Sequence, residues 1–160
     1  VKFILTDHLV SIEPGKKIVV AKNVSMAEEY LADHFPGFPV LPGVMMLEAA
    51  IQTCAWLVRQ HNHFAQSVIV LREARGIKYS TFVAPGQTLV ITAETGSIEA
   101  ASSDFRVKGT VNGSTAIAGR LELSHMNLHG HHKTLAATDE TITASYRQHW
   151  ALLQERAASA

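Results

Sequence analysis

His34-Phe35-Pro36-Gly37-Phe38-Pro39-Val40-Leu41-Pro42-Gly43-Val44-Met45-Met46-Leu47-Glu48-Ala49-Ala50-Ile51-Gln52 is the stretch on which the reading of this chain turns. Three of the chain's five prolines crowd its first half. Each proline biases the residue before it away from the αR region, so residues 34–42 read as an irregular loop. No later proline interrupts the run, and Pro42 is acceptable in a first helical turn, so a helix is expected from about Pro42 to Gln60. Met45, Met46, Leu47, Ala49, Ala50, Ile51, Ala55, Trp56, Leu57 and Val58 make it apolar nearly all round. Such a helix is buried inside a protein rather than laid on its surface. One histidine precedes it, and one carboxylate lies within it. A general base and a potential general acid at the edge of an apolar core suit proton transfer on an apolar substrate.

Strands flank this segment. Phe3 to Ile12 and Lys17 to Val24 are β-rich runs joined by Glu13-Pro14-Gly15-Lys16, a turn signal that predicts a hairpin. Ser25 to Asp33 reads as a short helix or turn. Beyond Asn62 come Ser67 to Leu71 with Gly76 to Val83, then Thr88 to Ile98, Ser103 to Val111 and Thr115 to Leu123. Asn112-Gly113 is a type I′ hairpin signal. Hairpin, helix and then a meander of long strands, without βαβ alternation, predicts an α+β domain: an antiparallel sheet wrapped around one long central helix.

Composition narrows the function classes. Fourteen basic residues balance fourteen acidic ones, which argues against nucleic acid as a partner and against a polybasic membrane anchor. No run reaches the roughly 18 apolar residues needed for a membrane span, and no charged-then-apolar leader pattern is present. The lone Cys54 reads as a buried small hydrophobe and fits a reducing, cytoplasmic setting. A chain of 160 residues buries enough surface to fold without a disulfide or metal staple.

The loop-plus-helix segment closely resembles the (3R)-hydroxyacyl-acyl-carrier-protein dehydratases of the FabZ type, in the FabA/FabZ family. His34, Phe35, Pro36, Gly37, Pro39, Pro42, Gly43, Val44, Glu48, Ala49 and Gln52 meet the family's spacing. Phe3-Ile4-Leu5-Thr6-Asp7, Lys22-Asn23-Val24-Ser25 and Phe82-Val83-Ala84-Pro85-Gly86-Gln87 extend the match. The resemblance covers residues 1–124 as a hotdog dehydratase domain and leaves 125–160 as a His-rich linker with an extra C-terminal amphipathic helix. It implies a homodimer with shared active sites, His of one protomer facing Glu of the other, and in the family further assembly into a hexameric trimer of dimers. It implies acyl carrier protein as the partner that delivers substrate, no cofactor, and type II fatty-acid biosynthesis in the cytoplasm as the setting. Glu at position 48 favours the FabZ type, since the FabA type places Asp there.

The residues support that chemistry on their own terms. Eliminating water from a β-hydroxyacyl thioester needs a base for the C2 proton, an acid for the departing hydroxyl and a donor for the thioester oxygen. His34 suits the first task, since an ordinary imidazole is mostly neutral at neutral pH. Glu48 suits the second when protonated, a form that burial favours. The backbone N–H groups of Gly43 and Val44, at the positive end of the helix dipole, suit the third. Gln52, one turn beyond Glu48, is placed either to orient that carboxyl or to serve as a polar interface residue.

Other features carry weaker expectations. Phe35, Phe38, Tyr79 and Phe82 are candidates to line a substrate tunnel, with ordinary core packing as the alternative for the strand aromatics. Arg72, Arg75, Lys78, Arg106 and Lys108 are candidates to grip an acidic carrier, or are simply solvated. His125, His129, His131 and His132 resemble a metal tract but lack a defined ligand spacing, so no metal site is expected. Thr138 to Ala158 reads as a helix whose Ile142, Tyr146, His149, Trp150 and Leu153 pack on this domain or on a neighbouring protomer. A hotdog acyl thioesterase, an R-specific enoyl-CoA hydratase and a non-catalytic acyl-carrier-binding module are the rival readings. The hydratase's Asp-x-Asn-Pro-x-His segment is absent.

Overall fold

A computed structural model describes residues 3–158. Six strands form one antiparallel sheet: β1 (His8–Glu13), β2 (Lys17–Asn23), β3 (Val68–Tyr79), β4 (Thr88–Ile98), β5 (Ser102–Val111) and β6 (Ser114–Met126), in the order β1-β2-β4-β5-β6-β3. The helix α1 (Gly43–His61) crosses its concave face, and α2 (Ala136–Ala158) follows the sheet. Nineteen residues make α1 roughly 28 Å long. Alternate residues of the inner strands, among them Ile18, Val20, Leu89, Ile91, Phe105, Val107, Ile117 and Leu121, are buried together with Ala49, Ala50, Leu57 and Val58 of α1. That period-two burial fixes the register of every central strand. The result is the expected α+β hotdog architecture.

Both predicted hairpin turns form. The Lys16 amide donates to the Glu13 carbonyl. Asn112 and Gly113 both hold positive φ, 49° and 80°, the backbone a type I′ turn demands.

Three expectations shift. Residues 3–7 are not strand. The Leu5 amide donates to Gln52 Oε1 at 2.9 Å, the Phe3 carbonyl accepts from Gln52 Nε2, and Trp56 Nε1 donates to Thr6 Oγ1. Gln52 thus takes backbone bonds of Phe3 and Leu5 that a sheet would otherwise supply, while the Asp7 amide donates to the Ala21 carbonyl of β2. The two runs between 67 and 83 form one bulged strand, a form the sequence allowed, but it stops at Tyr79 rather than Val83. Val83 instead offers its carbonyl to Leu41, tying this segment to the loop before α1. Finally, the first half of α1 is covered on one side only: Met46, Ala49 and Ala50 are buried, but Val44 is exposed, and Met45, Leu47, Glu48 and Ile51 are half-buried.

The tail packs on its own chain. The Trp56 ring lies 5.7, 5.2 and 5.6 Å from the rings of Tyr146, His149 and Trp150. Trp150 and Leu153 are buried. Asp139 accepts from the Leu128 and His129 amides, from His129 Nδ1 at 2.7 Å and from the Ser67 hydroxyl, which fastens the start of α2 to the turn after β6.

Candidate active site

The loop 34–42 is held by its own backbone. Phe35 and Phe38 exchange N–H···O bonds, the Val40 amide donates to the His34 carbonyl, and the Leu41 amide donates to Val83. His34 Nδ1 lies 3.1 Å from the Val40 carbonyl oxygen. A carbonyl only accepts, so Nδ1 carries the proton in that bond and the neutral ring keeps its lone pair on Nε2. That tautomer is what a general base requires.

Glu48 lies half-buried on α1. Gln52 Nε2 donates to its Oε1 at 2.9 Å, while the same amide group holds Phe3 and Leu5. Gln52 thus orients the carboxyl and pins the N-terminal segment at once. Glu48 also borders a cavity of about 250 Å³ that runs along one face of α1 past Ile51, Ala55 and Trp56 to Arg59. Tyr146 and His149 of α2 close its other side. Arg59, which sequence reasoning passed over, lines this cavity.

At the head of α1, the Met45 and Met46 amides turn back to the Pro42 carbonyl. The Gly43 and Val44 amides ahead of them have no intrahelical acceptor. The Tyr79 ring lies against Gly43, so close that a Cβ there would sit 3.2–3.3 Å from its carbons. Glycine lets these two meet, and it leaves the amide approachable.

No hydrogen bond or ion pair joins His34 to Glu48 within the chain among the described residues, and His34 does not line the Glu48 cavity. Nor do Phe35, Phe38, Tyr79 and Phe82. All four are exposed, with Phe38 and Phe82 edge-to-face at 5.4 Å. With Val44 and Val70 they add to an unusual amount of exposed apolar surface near the head of α1 and on β3, whose outer edge pairs with no strand of this sheet.

The basic candidates divide. Arg72 and Arg75 pair with Glu122, and Arg75 also with Glu73. Lys78, Arg106 and Lys108 line an open depression on the outer sheet face, joined by Arg120 and by Arg75 itself. The histidine tract is dispersed: His125 is buried with Nε2 2.8 Å from Ser103 Oγ, and His129 is bound to Asp139. No group of three candidate metal ligands occurs among the described residues. Burial pushes the Cys54 thiol far up, as suits an inert core residue. No helix among the described residues is long and apolar enough to cross a membrane.

The sequence matches the family described as ApeI-like, ApeI dehydratase, over residues 11–120. The 3-hydroxyacyl-[acyl-carrier-protein] dehydratase FabZ of Listeria monocytogenes serotype 4b is 35% identical over 111 residues, covering 69% of this chain and 77% of that protein. The FabZ of Ruminiclostridium cellulolyticum is 32% identical over 122 residues, covering 76% and 86%. Among solved structures, the dehydratase heterocomplex ApeI:P from Xenorhabdus doucetiae superposes with a TM-score of 0.68 at 16% identity, over 83% of this chain and 90% of that one. A fluoroacetyl-CoA-specific thioesterase, FlK, superposes with a TM-score of 0.61 at 15% identity, over 80% and 98%. The last two likenesses speak to the fold, which dehydratases and thioesterases share. The sequence matches separate the two, and by them this chain belongs to the ApeI-like family of hotdog dehydratases, close to FabZ, and is a hydro-lyase.

Proposed function

We propose that this enzyme converts (3R)-hydroxyacyl thioesters on acyl carrier protein to the trans-2-enoyl thioesters in type II fatty-acid biosynthesis in the cytoplasm, as a homodimer. The observation that carries the reading is the pairing of a locked tautomer with an oriented acid: His34 with Nε2 free, and Glu48 held by Gln52 at a cavity mouth. His34 Nε2 takes the C2 proton while the C3–O bond breaks. The departing hydroxyl takes its proton from the carboxyl of Glu48 of the partner subunit. A double bond forms between C2 and C3, water leaves, and the proton on His34 restores the acid. The Gly43 and Val44 amides bind the thioester oxygen as it gains charge.

What one chain lacks supports dimerisation. His34 and Glu48 do not meet within it, while an exposed aromatic patch and an open strand edge lie beside them. Covering both would bring the two halves of the site together. Arg72, Arg75, Lys78, Arg106 and Lys108 supply positive charge for an acidic carrier, the last four with Arg120 in one depression.

The test is mass detection of water loss from a (3R)-hydroxyacyl-carrier thioester, beside His34→Ala and Glu48→Gln. Wild-type turnover that falls roughly 10²–10⁴-fold in each variant supports both roles. Release of free acid instead would make this a thioesterase, and carrier binding without turnover would make it a binding module. Equal turnover of the CoA thioester would remove the carrier from the reading.

A further inference from the structure

The distal end of the Glu48 cavity is not what a plain alkyl chain calls for. Arg59 is 6% exposed, and no carboxylate among the described residues lies within ion-pair reach of it. Its Nε is buried without a hydrogen-bond partner. The guanidinium stacks at 3.7 Å over the Tyr146 ring and 5.5 Å from the Trp56 centroid. These contacts satisfy its faces and leave its in-plane Nε–H donor unused. Burial lowers its pKa to about 10, so it remains charged at neutral pH. Nearby His125 offers no counter-charge. Burial and the Arg59 charge hold its imidazole below its ordinary value, and its own Nδ1 is likewise unpartnered.

A buried cation without an anion is costly, and proteins ordinarily pair it. Glu48 cannot serve. Eleven residues separate the two along α1, roughly 16 Å of helix axis, even though the Arg59 side chain leans back toward the N-terminus. What lies between them is the cavity itself.

Resting on the dehydratase reading above, we propose that Arg59 is a specificity residue: the pocket takes acyl chains whose far end carries an oxygen acceptor, a carboxylate above all, in place of a methyl group. Glu48 would meet the β-hydroxyl at one end of such a chain, and the Arg59 fork would receive the acceptor at the other. A carboxylate matches that fork in shape and charge. The α2 helix belongs to the pocket, because Tyr146 holds the guanidinium plane.

Three (3R)-hydroxyacyl-carrier thioesters of one medium chain length, ending in methyl, carboxamide or carboxylate, test this in the full-length enzyme. The wild type should favour the carboxylate over the methyl end in kcat/KM, with the carboxamide between. Arg59→Met should shift the carboxylate-to-methyl ratio by roughly ten- to a hundredfold, chiefly through KM. Arg59→Lys, which keeps the charge, should retain part of the preference. Wild-type preference for the methyl end would overturn the proposal. So would equal losses on all three substrates in both variants, which would mark Arg59 as a structural post for α2. Absence of turnover with any substrate would count against the dehydratase reading alone. The same ratio, measured as binding affinity in the Glu48→Gln enzyme, then decides the role of Arg59.

Discussion

Gln52 is the residue on which the N-terminal segment and the proposed acid both depend, and Gln52→Leu removes both supports at once. The substitution keeps side-chain size and helix propensity but removes three hydrogen bonds: from the Leu5 amide at 2.9 Å, to the Phe3 carbonyl at 3.0 Å and to Glu48 at 2.9 Å. Phe3 is exposed, so its carbonyl turns to water at little cost. Leu5 is 2% exposed. Its orphaned amide costs about 1–3 kcal/mol and the lost Glu48 bond about 1 kcal/mol more. A total of about 3 kcal/mol in a chain of this size lowers Tm by roughly 6–12 °C. Melting must be followed at one fixed protein concentration, since oligomers shift Tm by mass action. In turnover, a carboxyl no longer held by its neighbour should lower kcat by about tenfold with little change in KM. Glu48→Gln combined with Gln52→Leu should be non-additive in kcat, because the second change acts through the first residue. A Tm within a degree of wild type would refute the claim that Gln52 ties the N-terminal segment to α1. Full additivity in the cycle would refute its action on Glu48.

Gly43→Ala places a methyl 3.2–3.3 Å from the Tyr79 ring. That ring is exposed enough to swing aside, so stability should change by less than about 1 kcal/mol. Loss of close approach to the amide should cut kcat/KM by at least about tenfold, read by steady-state kinetics. Trp150→Ala removes a buried ring from the Trp56 stack. It should cost about 3–5 kcal/mol in denaturant unfolding and raise proteolytic cleavage between β6 and α2. Asp139 is buried, which alone would raise its pKa; the Ser67 hydroxyl, the His129 and Leu128 amides and the His129 ring outweigh burial and hold it well below the ordinary carboxylate range. A depressed carboxyl contributes stability above its ordinary value of 3.8 and loses it as pH falls through the folded value. Asp139→Asn should therefore be less stable than wild type at pH 7, and the two should converge in urea melts taken well below pH 4.

The elements that local physics sets alone were legible in the sequence. Asn112-Gly113 can close a two-residue hairpin in only one common way, and the structure closes it so. The apolar run after Pro42 had to be helical and central, and α1 is both. Tertiary competition was not legible. Phe3 to Thr6 has strand composition, yet Gln52 and Trp56 take polar groups of Phe3, Leu5 and Thr6. Nothing near residue 5 announces a partner 47 positions away. The half-exposed first turns of α1 were hidden for a related reason: composition reports how apolar a helix is, not how much of that surface its own chain covers. The uncovered part includes Glu48, and its start lies against Tyr79.

The site shows the same division more sharply. His34 and Glu48 stood out because each is a polar group in an apolar setting, and that contrast is local in sequence. The Val40 carbonyl that fixes the His34 tautomer is a backbone atom and leaves no mark in the residue string. Arg59 is harder still. A basic residue in the last turns of a helix is what the helix dipole favours, so it draws no notice. Its character changes only when Tyr146 arrives from α2 and removes water from around it. The C-terminal helix, which a minimal hotdog reading leaves over, is thus the element that turns an ordinary surface cation into a buried one. A helix that only stabilised the sheet could have met α1 with an aliphatic residue at position 59, avoiding the desolvation of a charge. Retaining a charge there, at the end of the cavity that begins at Glu48, ties the tail to substrate choice, and removing α2 should cost selectivity at the far end of the chain before it costs the elimination itself.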